Sequence, residues 1–267
     1  MQALRISEMQ SRTPTRNKPR HGLARVLSKL GACSRSQAEQ AVREGRVTVD
    51  GRVQRDPEQS ADPAMQRITL DGRPVEAATR LYVAINKPRG VVTTAADEHG
   101  RDTVYTLLKD AGLPWLGPVG RLDKASEGLL LLSNDSVWAA QLTEPSSHVE
   151  KTYHVQIDCI PDELLLNRLR IGVVEQGEQL LARRVLLLRQ GIKNAWLEVV
   201  LDEGRNRHIR RLLAAHDIGV LRLIRVAIGS LPLGKLAKGA WRHLTAAEIS
   251  ALGSQRSSAE NPRRTTS

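Results

Sequence analysis

Four consecutive leucines, Leu129-Leu130-Leu131-Leu132, constrain this chain more than any other feature. A run without a polar face reads as a buried strand. Gly120-Arg121-Leu122-Asp123-Lys124-Ala125-Ser126-Glu127-Gly128 precedes it, and Ser133-Asn134-Asp135 follows. Asp123 therefore stands between a basic residue and the lip of a buried strand. A carboxylate there is costly unless it is paired or hydrogen-bonded. Two readings are open at this point: a structural ion pair at a strand end, or a group kept for its chemistry.

The chain around this segment is basic. Forty Lys and Arg against 29 Asp and Glu leave a net charge of +11 in 267 residues. Such a chain most often meets a polyanion. No amphipathic basic helix with large apolar anchors stands out, and no run reaches membrane-spanning length, so a lipid partner is not expected. The N-terminus lacks an apolar signal core, and Cys33 and Cys159 are isolated; both point to a cytoplasmic protein. No His, Cys and Asp set has metal-ligand spacing, and no Gly-x-x-x-x-Gly-Lys-Ser/Thr loop occurs, so neither metal nor nucleotide cofactor is expected. Phe is absent, which leaves the core to Leu, Val, Ile and Ala and makes an aromatic such as Tyr153 conspicuous.

Hydrophobic patterning divides the chain. Residues 1–20 are polar and basic and read as a disordered arm, and 253–267 read as a disordered tail. Residues 21–76 form a small basic α/β unit. Leu23, Val26, Leu27 and Leu30 lie at helical spacing up to Gly31, and Ser36-Gln37-Ala38-Glu39 reads as a capping box opening a second helix. Val47-Thr48-Val49-Asp50-Gly51-Arg52-Val53 reads as strand and turn, and 68–75 nearly repeats it. Arg25, Lys29, Arg35, Arg43, Arg46 and Arg52 decorate these elements. The charges fit a phosphate-contacting surface better than an ordinary solvated face.

From 80 to 250 a second domain is expected. Strands are predicted at 81–85 (resuming at Val91-Val92), along the leucines, and at 153–157, 197–201 and 221–228. Helices are predicted at 103–108, 137–142 and 162–169, and one carries Ile209, Leu212, Leu213 and His216 on one face. Strands outnumber helices and connections vary in length. That predicts an α+β class with a mixed, largely antiparallel sheet. Glu203-Gly204-Arg205-Asn206-Arg207-His208-Ile209-Arg210-Arg211-Leu212 crowds arginines at a helix start, against the helix dipole, so compensating anions are expected there.

These segments resemble two known families. The helix, turn, helix, Gly-Arg-Val and Asp-Gly succession of 23–51 is similar to the S-four-type RNA-binding domain. Gly120-Arg121-Leu122-Asp123 with 126–135, Asn86-Lys87-Pro88-Arg89-Gly90, Glu150-Lys151-Thr152-Tyr153, the arginine segment 203–212, Leu221-Arg222-Leu223-Ile224-Arg225 and Gly239-x-Trp241-Arg242-x-Leu244-Thr245 together resemble the RsuA-type pseudouridine synthases, in family order. The resemblance covers 21–250. It implies that Asp123 attacks a uridine in ribosomal RNA so that uracil is released, rotated and rejoined through carbon, without a cofactor. It implies that Arg121 fills the gap left by the flipped nucleotide, and that Tyr153 packs on the uracil ring and helps remove a proton. Arg210 is implied to pair with Asp123, and Leu223 to line the uracil pocket. Lys87 and Arg89, with Lys151 and Arg207, are implied RNA contacts. His208 stands where the family usually carries Gln. A general-base role for it is disfavoured, because nearby cations oppose its charged form.

The expected partner is ribosomal RNA or a pre-ribosomal particle, met by a monomer. Ser126-Glu127 and Leu221-Arg222-Leu223-Ile224-Arg225 lean toward large-subunit RNA. The alternatives are small-subunit RNA and a non-catalytic RNA-binding assembly factor, which needs no Asp123. A hydrolase using Asp123 with Glu127 or Asp135 is disfavoured, because Glu127 is expected at the surface.

Overall fold

A computed structural model describes residues 21–76, 78–94 and 100–254. The arm expected at 1–20 and the tail expected at 253–267 lie outside the described residues, except Gly253 and Ser254, which are helical rather than disordered. The chain forms two compact units. One holds the described residues up to Leu27 with Arg35–Val75, the other Ser28–Ser34 with Glu76 onward.

In the first unit, α1 (Leu23–Lys29) buries Leu23, Ala24, Val26 and Leu27, the face set by its apolar spacing. α2 (Arg35–Arg43) buries the small residues Ala38 and Ala41 with Val42. The expected capping box is not at the helix start: α2 begins at Arg35, so Ser36 and Glu39 lie inside it. Glu39 receives a hydrogen bond from Arg35 at 3.2 Å instead. Short strands β1 (His21–Gly22) and β4 (Ser60–Ala61) pair with each other. β2 (Val47–Val49), β3 (Arg52–Gln54), β5 (Ile68–Leu70) and β6 (Arg73–Pro74) form a sheet in the order β3-β2-β5-β6. Its two hairpins turn on Asp50-Gly51 and Asp71-Gly72, all four with positive φ between 50° and 79°. That is the twist a two-residue loop needs to rejoin right-twisted strands, and the reason Asp-Gly recurs.

The second unit is built on nine strands. β7 (Tyr82–Lys87), β9 (Glu127–Ser133), β10 (Lys151–Ile157), β13 (Arg184–Gln190), β14 (Ala195–Leu201), β15 (Val220–Ile228) and β17 (Trp241–His243) run in the order β13-β14-β10-β15-β9-β7-β17. β8 (Gly117–Val119) also pairs with β9, and β16 (Leu231–Pro232) with β15. The β15–β9 pair is parallel; the other pairings in this sheet are antiparallel. A two-stranded ribbon, β11 (Val173–Glu175) and β12 (Glu178–Leu180), stands apart from it. The helices are α3 (Ser136–Thr143), α4 (Glu163–Ile171), α5 (His208–Ala214) and α6 (Ala246–Ser254). No described helix is long and apolar enough to cross a membrane.

All seven residues of β9 are buried. Leu130 and Leu132 pack with Val83, Ile85, Val104 and Leu116 on one face. Leu129 and Leu131 meet Trp138, Leu142 and Ile228 on the other. Each such leucine contributes about 2 kcal/mol of burial. Asp135 caps α3, accepting from the backbone of Val137 and Trp138 at 3.1 Å each. Glu127 is not at the surface. It is 4% exposed, paired with Arg222 at 3.0 Å and Lys238 at 2.8 Å. Burial alone would raise its pKa, but these two cations outweigh burial and hold the carboxyl below its ordinary range. Val91-Val92 do not resume β7: Val92 makes an isolated bridge to Thr103. The helix expected at 103–108 shrinks to a 3-10 turn at Thr106–Leu108. α6 runs to Ser254, past the expected domain end.

Candidate active site

Asp123 sits in the loop that leads into β9. A free loop beside a core would place its carboxylate poorly, and this one is held at every carbonyl from 121 to 126. Arg225 Nη1 donates to Arg121 O at 3.5 Å, and Thr93 Oγ1 donates to Leu122 O at 2.8 Å. The Ser126 amide donates to Asp123 O at 3.0 Å, and the Gly90 amide to Lys124 O at 2.8 Å. Arg210 Nη2 donates to Ala125 O at 3.2 Å, and Lys87 Nζ to Ser126 O at 2.7 Å. Three of the six donors are cations, which make the stronger hydrogen bonds. Two of these cations, Lys87 and Arg210, also interact favourably with the Asp123 charge.

The Asp123 side chain is about one-third exposed, and its Oδ2 lies 3.9 Å from Arg207 Nη1. Arg207 caps α5 in the left-handed region at φ 49°, an uncommon place for a residue with a side chain. Among the described residues the ion pair within 4 Å is with Arg207; Arg210, the partner the resemblance implies, lies beyond that distance but interacts favourably with the Asp123 charge. Arg210 gives its donors to Ala125 O and, at 3.4 Å, to Val220 O. Burial and neighbouring Arg207 lower its pKa from the ordinary value, while Asp123 acts in the opposite direction. α5 begins one residue later than Arg207, so the two arginines project differently from the same segment. The compensating anions at this helix start are protein carboxylates in part: Arg211 is bound by Glu175 and, at 2.5 Å, Glu178, and Arg205 by Glu203 at 3.0 Å.

Asp123 opens on a cavity of about 420 Å³ lined also by Arg121, Lys151, Tyr153, Arg207 and Leu223. That volume is in the range of small-molecule sites. Tyr153 projects from β10, half-buried, beside a register shift between Thr152 and Tyr153. Leu223 of β15 pairs in register with Val155, two residues along from Tyr153. The sheet thereby brings one aromatic and one aliphatic wall to the carboxylate. Lys151, on the same strand, is pushed down to about 8, first by burial and then by Arg225. His208 also lines the cavity, buried. Burial, ahead of the cations Arg205 and Arg211, lowers its pKa, and Glu203 opposes them.

Other expected RNA contacts lie elsewhere. Arg89 is exposed and does not line the cavity. Lys87 is wholly buried, its Nζ also donating to Pro88 O at 3.0 Å, so it cannot meet RNA as expected. Its sequence context, Lys-Pro-Arg-Gly, reads as a surface turn; the side chain folds back beneath the Asp123 loop instead. In the basic segment 21–76, Arg25, Lys29, Arg35, Arg43 and Arg46 are all exposed. Arg35 and Arg43 share Glu39 at 3.2 and 4.0 Å, and Arg46 pairs with Asp71 at 2.6 Å, which raises the arginine's pKa. Arg225 received no role from sequence, yet it is 5% exposed and donates to Leu129 O at 2.7 Å as well as Arg121 O. An arginine amid the apolar alternation of 220–228 was the available signal.

Burial lowers Lys87 from an ordinary 10.5 to about 8. Between those values the unfolded chain binds more protons than the folded one, so this group's contribution to stability rises with pH across that window. Lys87→Met is expected to flatten that rise, leaving the part due to Lys151. It also leaves the carbonyls of Pro88 and Ser126 without this donor, and the buried one, Ser126 O, costs about 1–3 kcal/mol. Urea unfolding of both proteins at about pH 7 and about pH 10 measures this. An undiminished rise in the variant would refute it.

Three comparisons bear on this site. The model of the family described as RNA pseudouridylate synthase matches residues 81–215, and that of the S4 domain residues 22–66. An uncharacterized RNA pseudouridine synthase of Aquifex aeolicus is 35% identical over 230 residues, 85% of this chain and 92% of the relative. A like-named protein of Mycobacterium bovis is 38% identical over 233 residues, 86% and 92% of the two chains. A solved structure described as a pseudouridylate synthase aligns with a TM-score of 0.60 at 28% identity, covering 87% of this chain and 99% of the other. The mixed sheet, the braced loop before β9 and these likenesses lead to one conclusion: the chain belongs to the RNA pseudouridine synthases, a family of isomerases, and carries an S4 domain ahead of the catalytic one.

Proposed function

We propose that this protein converts one uridine of ribosomal RNA, in the large subunit, to pseudouridine, with Asp123 as the nucleophile. The observation that carries the reading is the Asp123 carboxylate, set on a braced loop beside Arg207 and facing Tyr153 and Leu223 across a cavity. A uridine must leave the stack to reach it. Asp123 attacks the nucleoside, and the bond from the sugar carbon to the ring nitrogen breaks. The uracil turns between Tyr153 and Leu223, and the sugar carbon bonds to a ring carbon as its bond to Asp123 breaks, which returns the carboxylate. The Tyr153 phenol assists removal of the proton from that carbon, and the ring nitrogen gains one. Nothing is added or lost overall. Arg121 occupies the vacated place in the stack, where a planar cation suits the neighbouring bases. The S4 domain, with Arg25, Lys29, Arg35, Arg43 and Arg46, holds the RNA by its phosphates.

The choice of large-subunit RNA rests on Ser126-Glu127 and on 221–225. Cys33 and Cys159, joined in no disulfide among the described residues, fit the proposed cytoplasmic location. Pseudouridine mapping by primer extension on both ribosomal RNAs, from a deletion strain and its parent, tests the reading. One modification is expected to disappear from the large-subunit RNA. Its loss from the small-subunit RNA would overturn the subunit, and no loss from either would overturn the ribosomal assignment.

A further inference from the structure

The sheet of the catalytic unit carries a second basic feature, on the face opposite Tyr153 and Leu223. Strand register places Arg189 opposite Trp196, Trp196 opposite Gln156, and Gln156 opposite Arg222. These four residues form a row across β13, β14, β10 and β15, about 14 Å long at the usual strand spacing. Their neighbours in sequence, Leu197, Val155 and Leu223, point the other way into the core.

The row has a built geometry. The guanidinium carbons of Arg189 and Arg222 lie 5.0 and 5.6 Å from the centre of the Trp196 ring. Both are within cation–π range, so one ring orients two guanidinium groups. Arg222 is further fixed by paired hydrogen bonds of 3.1 and 3.0 Å to the buried Glu127 carboxylate. Its side chain is still 42% exposed. Arg189 is exposed and makes no ion pair among the described residues. Arg184, on the same face, shares Glu198 with His154. Lys238 shares Glu127 with Arg222. Four cations thus face two carboxylates, and one carboxylate is buried. Ordered guanidinium groups of this kind match the paired oxygens of phosphate.

We infer that this open face, from Arg189 to Arg222, binds backbone phosphates of the RNA outside the target nucleotide. The identity of the partner rests on the function proposed above; the existence of an anion-binding row rests on the geometry alone. The surface acts on affinity, since it lies across the sheet from the cavity. It serves a long substrate and is unused by one that ends near the uridine.

The test uses the full-length protein and Arg189→Glu, which breaks no ion pair in the fold. Affinity is measured against salt for unmodified large-subunit ribosomal RNA transcribed in vitro, and for a short hairpin bearing only the mapped uridine and its stem. On the long RNA, charge reversal is expected to weaken binding about tenfold and lower the slope of log affinity against log salt by about 1. On the hairpin, affinity and conversion are expected to stay within about twofold. Arg189→Gln is expected to give the same change in slope with a smaller loss of affinity. Unchanged affinity and slope on the long RNA would overturn the inference and leave this face to another partner. An equal loss on the hairpin would also overturn it. If the wild-type protein binds the long RNA with the expected slope but converts no uridine, the proposed function fails and the phosphate surface stands.

Discussion

Asp123→Ala is expected to abolish uridine conversion, by roughly 10⁴-fold or more, while the protein keeps its fold and its RNA affinity. The size follows from the proposed role: without the carboxylate no covalent route begins. The other acidic residues of the cavity are engaged elsewhere. Asp202 is paired with Arg183 at 3.2 Å and Glu203 with Arg205 at 3.0 Å. The structural cost is small, because the Asp123 side chain is about one-third exposed and, among the described residues, makes one ion pair, at 3.9 Å. A pair of that kind contributes at most about 1 kcal/mol. The loop is held through its carbonyls, which the substitution leaves in place. Removing a negative charge from a basic cavity also cannot weaken phosphate contacts, so RNA affinity stays level or rises slightly. Thermal unfolding, RNA binding and pseudouridine mapping on one preparation separate these effects. Conversion at the wild-type level would exclude Asp123 as nucleophile. Loss of folding would make it the structural ion pair that its sequence position also allows.

The legible parts of the chain are those in which neighbours decide the outcome. Four leucines in succession leave no solvent face, so β9 was plain from sequence. Asp-Gly between short β-branched runs marks a two-residue hairpin, so both hairpins of the first unit were visible as well. Distant partners were not. Glu127 looks like a surface residue until Arg222 and Lys238, about a hundred residues away, close over it. Lys87 follows a strand and precedes Pro88, which suggests a turn in solvent. Only the tertiary fold shows that its amine lies beneath Ser126. The division of labour between Arg207 and Arg210 at Asp123 is not legible in sequence for a finer reason. Helix ends are the least certain part of a sequence reading. With α5 starting at His208, Arg207 falls in the left-handed cap and reaches the carboxylate, while Arg210 turns to the loop carbonyl. The strands at 173–190 are not legible in sequence, because β11 and β12 are three residues each and β13 exposes leucines on an outer strand.

Gly128→Ala is expected to lower the stability of the catalytic unit by about 3–5 kcal/mol, the largest structural effect proposed for one methyl group in this chain. Gly128 has φ +103°, outside the regions open to L side chains, and an added Cβ would stand 2.3 Å from Arg225 O and 2.8 Å from Arg225 N. Both atoms are backbone, so no side chain can swing aside. The contact occurs where β9 meets β15, joined by just two register pairs, Glu127 with Ile224 and Gly128 with Arg225. This short parallel joint ties β13, β14, β10 and β15 to β9, β7 and β17. The proposed chemistry is divided by the same joint, with Asp123 on the loop into β9 and Tyr153, Leu223 and Arg207 on the other side. Spreading it would also strain Arg225, which spans from β15 to Leu129 O and Arg121 O. Conversion should therefore fall even at temperatures where the variant stays folded. Gly90→Ala separates the backbone term from the steric one: Gly90 has φ +96° but nothing within 4 Å of an added Cβ. That control is expected to cost about 1–3 kcal/mol. Denaturant midpoints of the two variants compare the terms directly. If Gly128→Ala unfolds no more readily than Gly90→Ala, the close approach of β9 and β15 does not hold the two halves of the sheet in place.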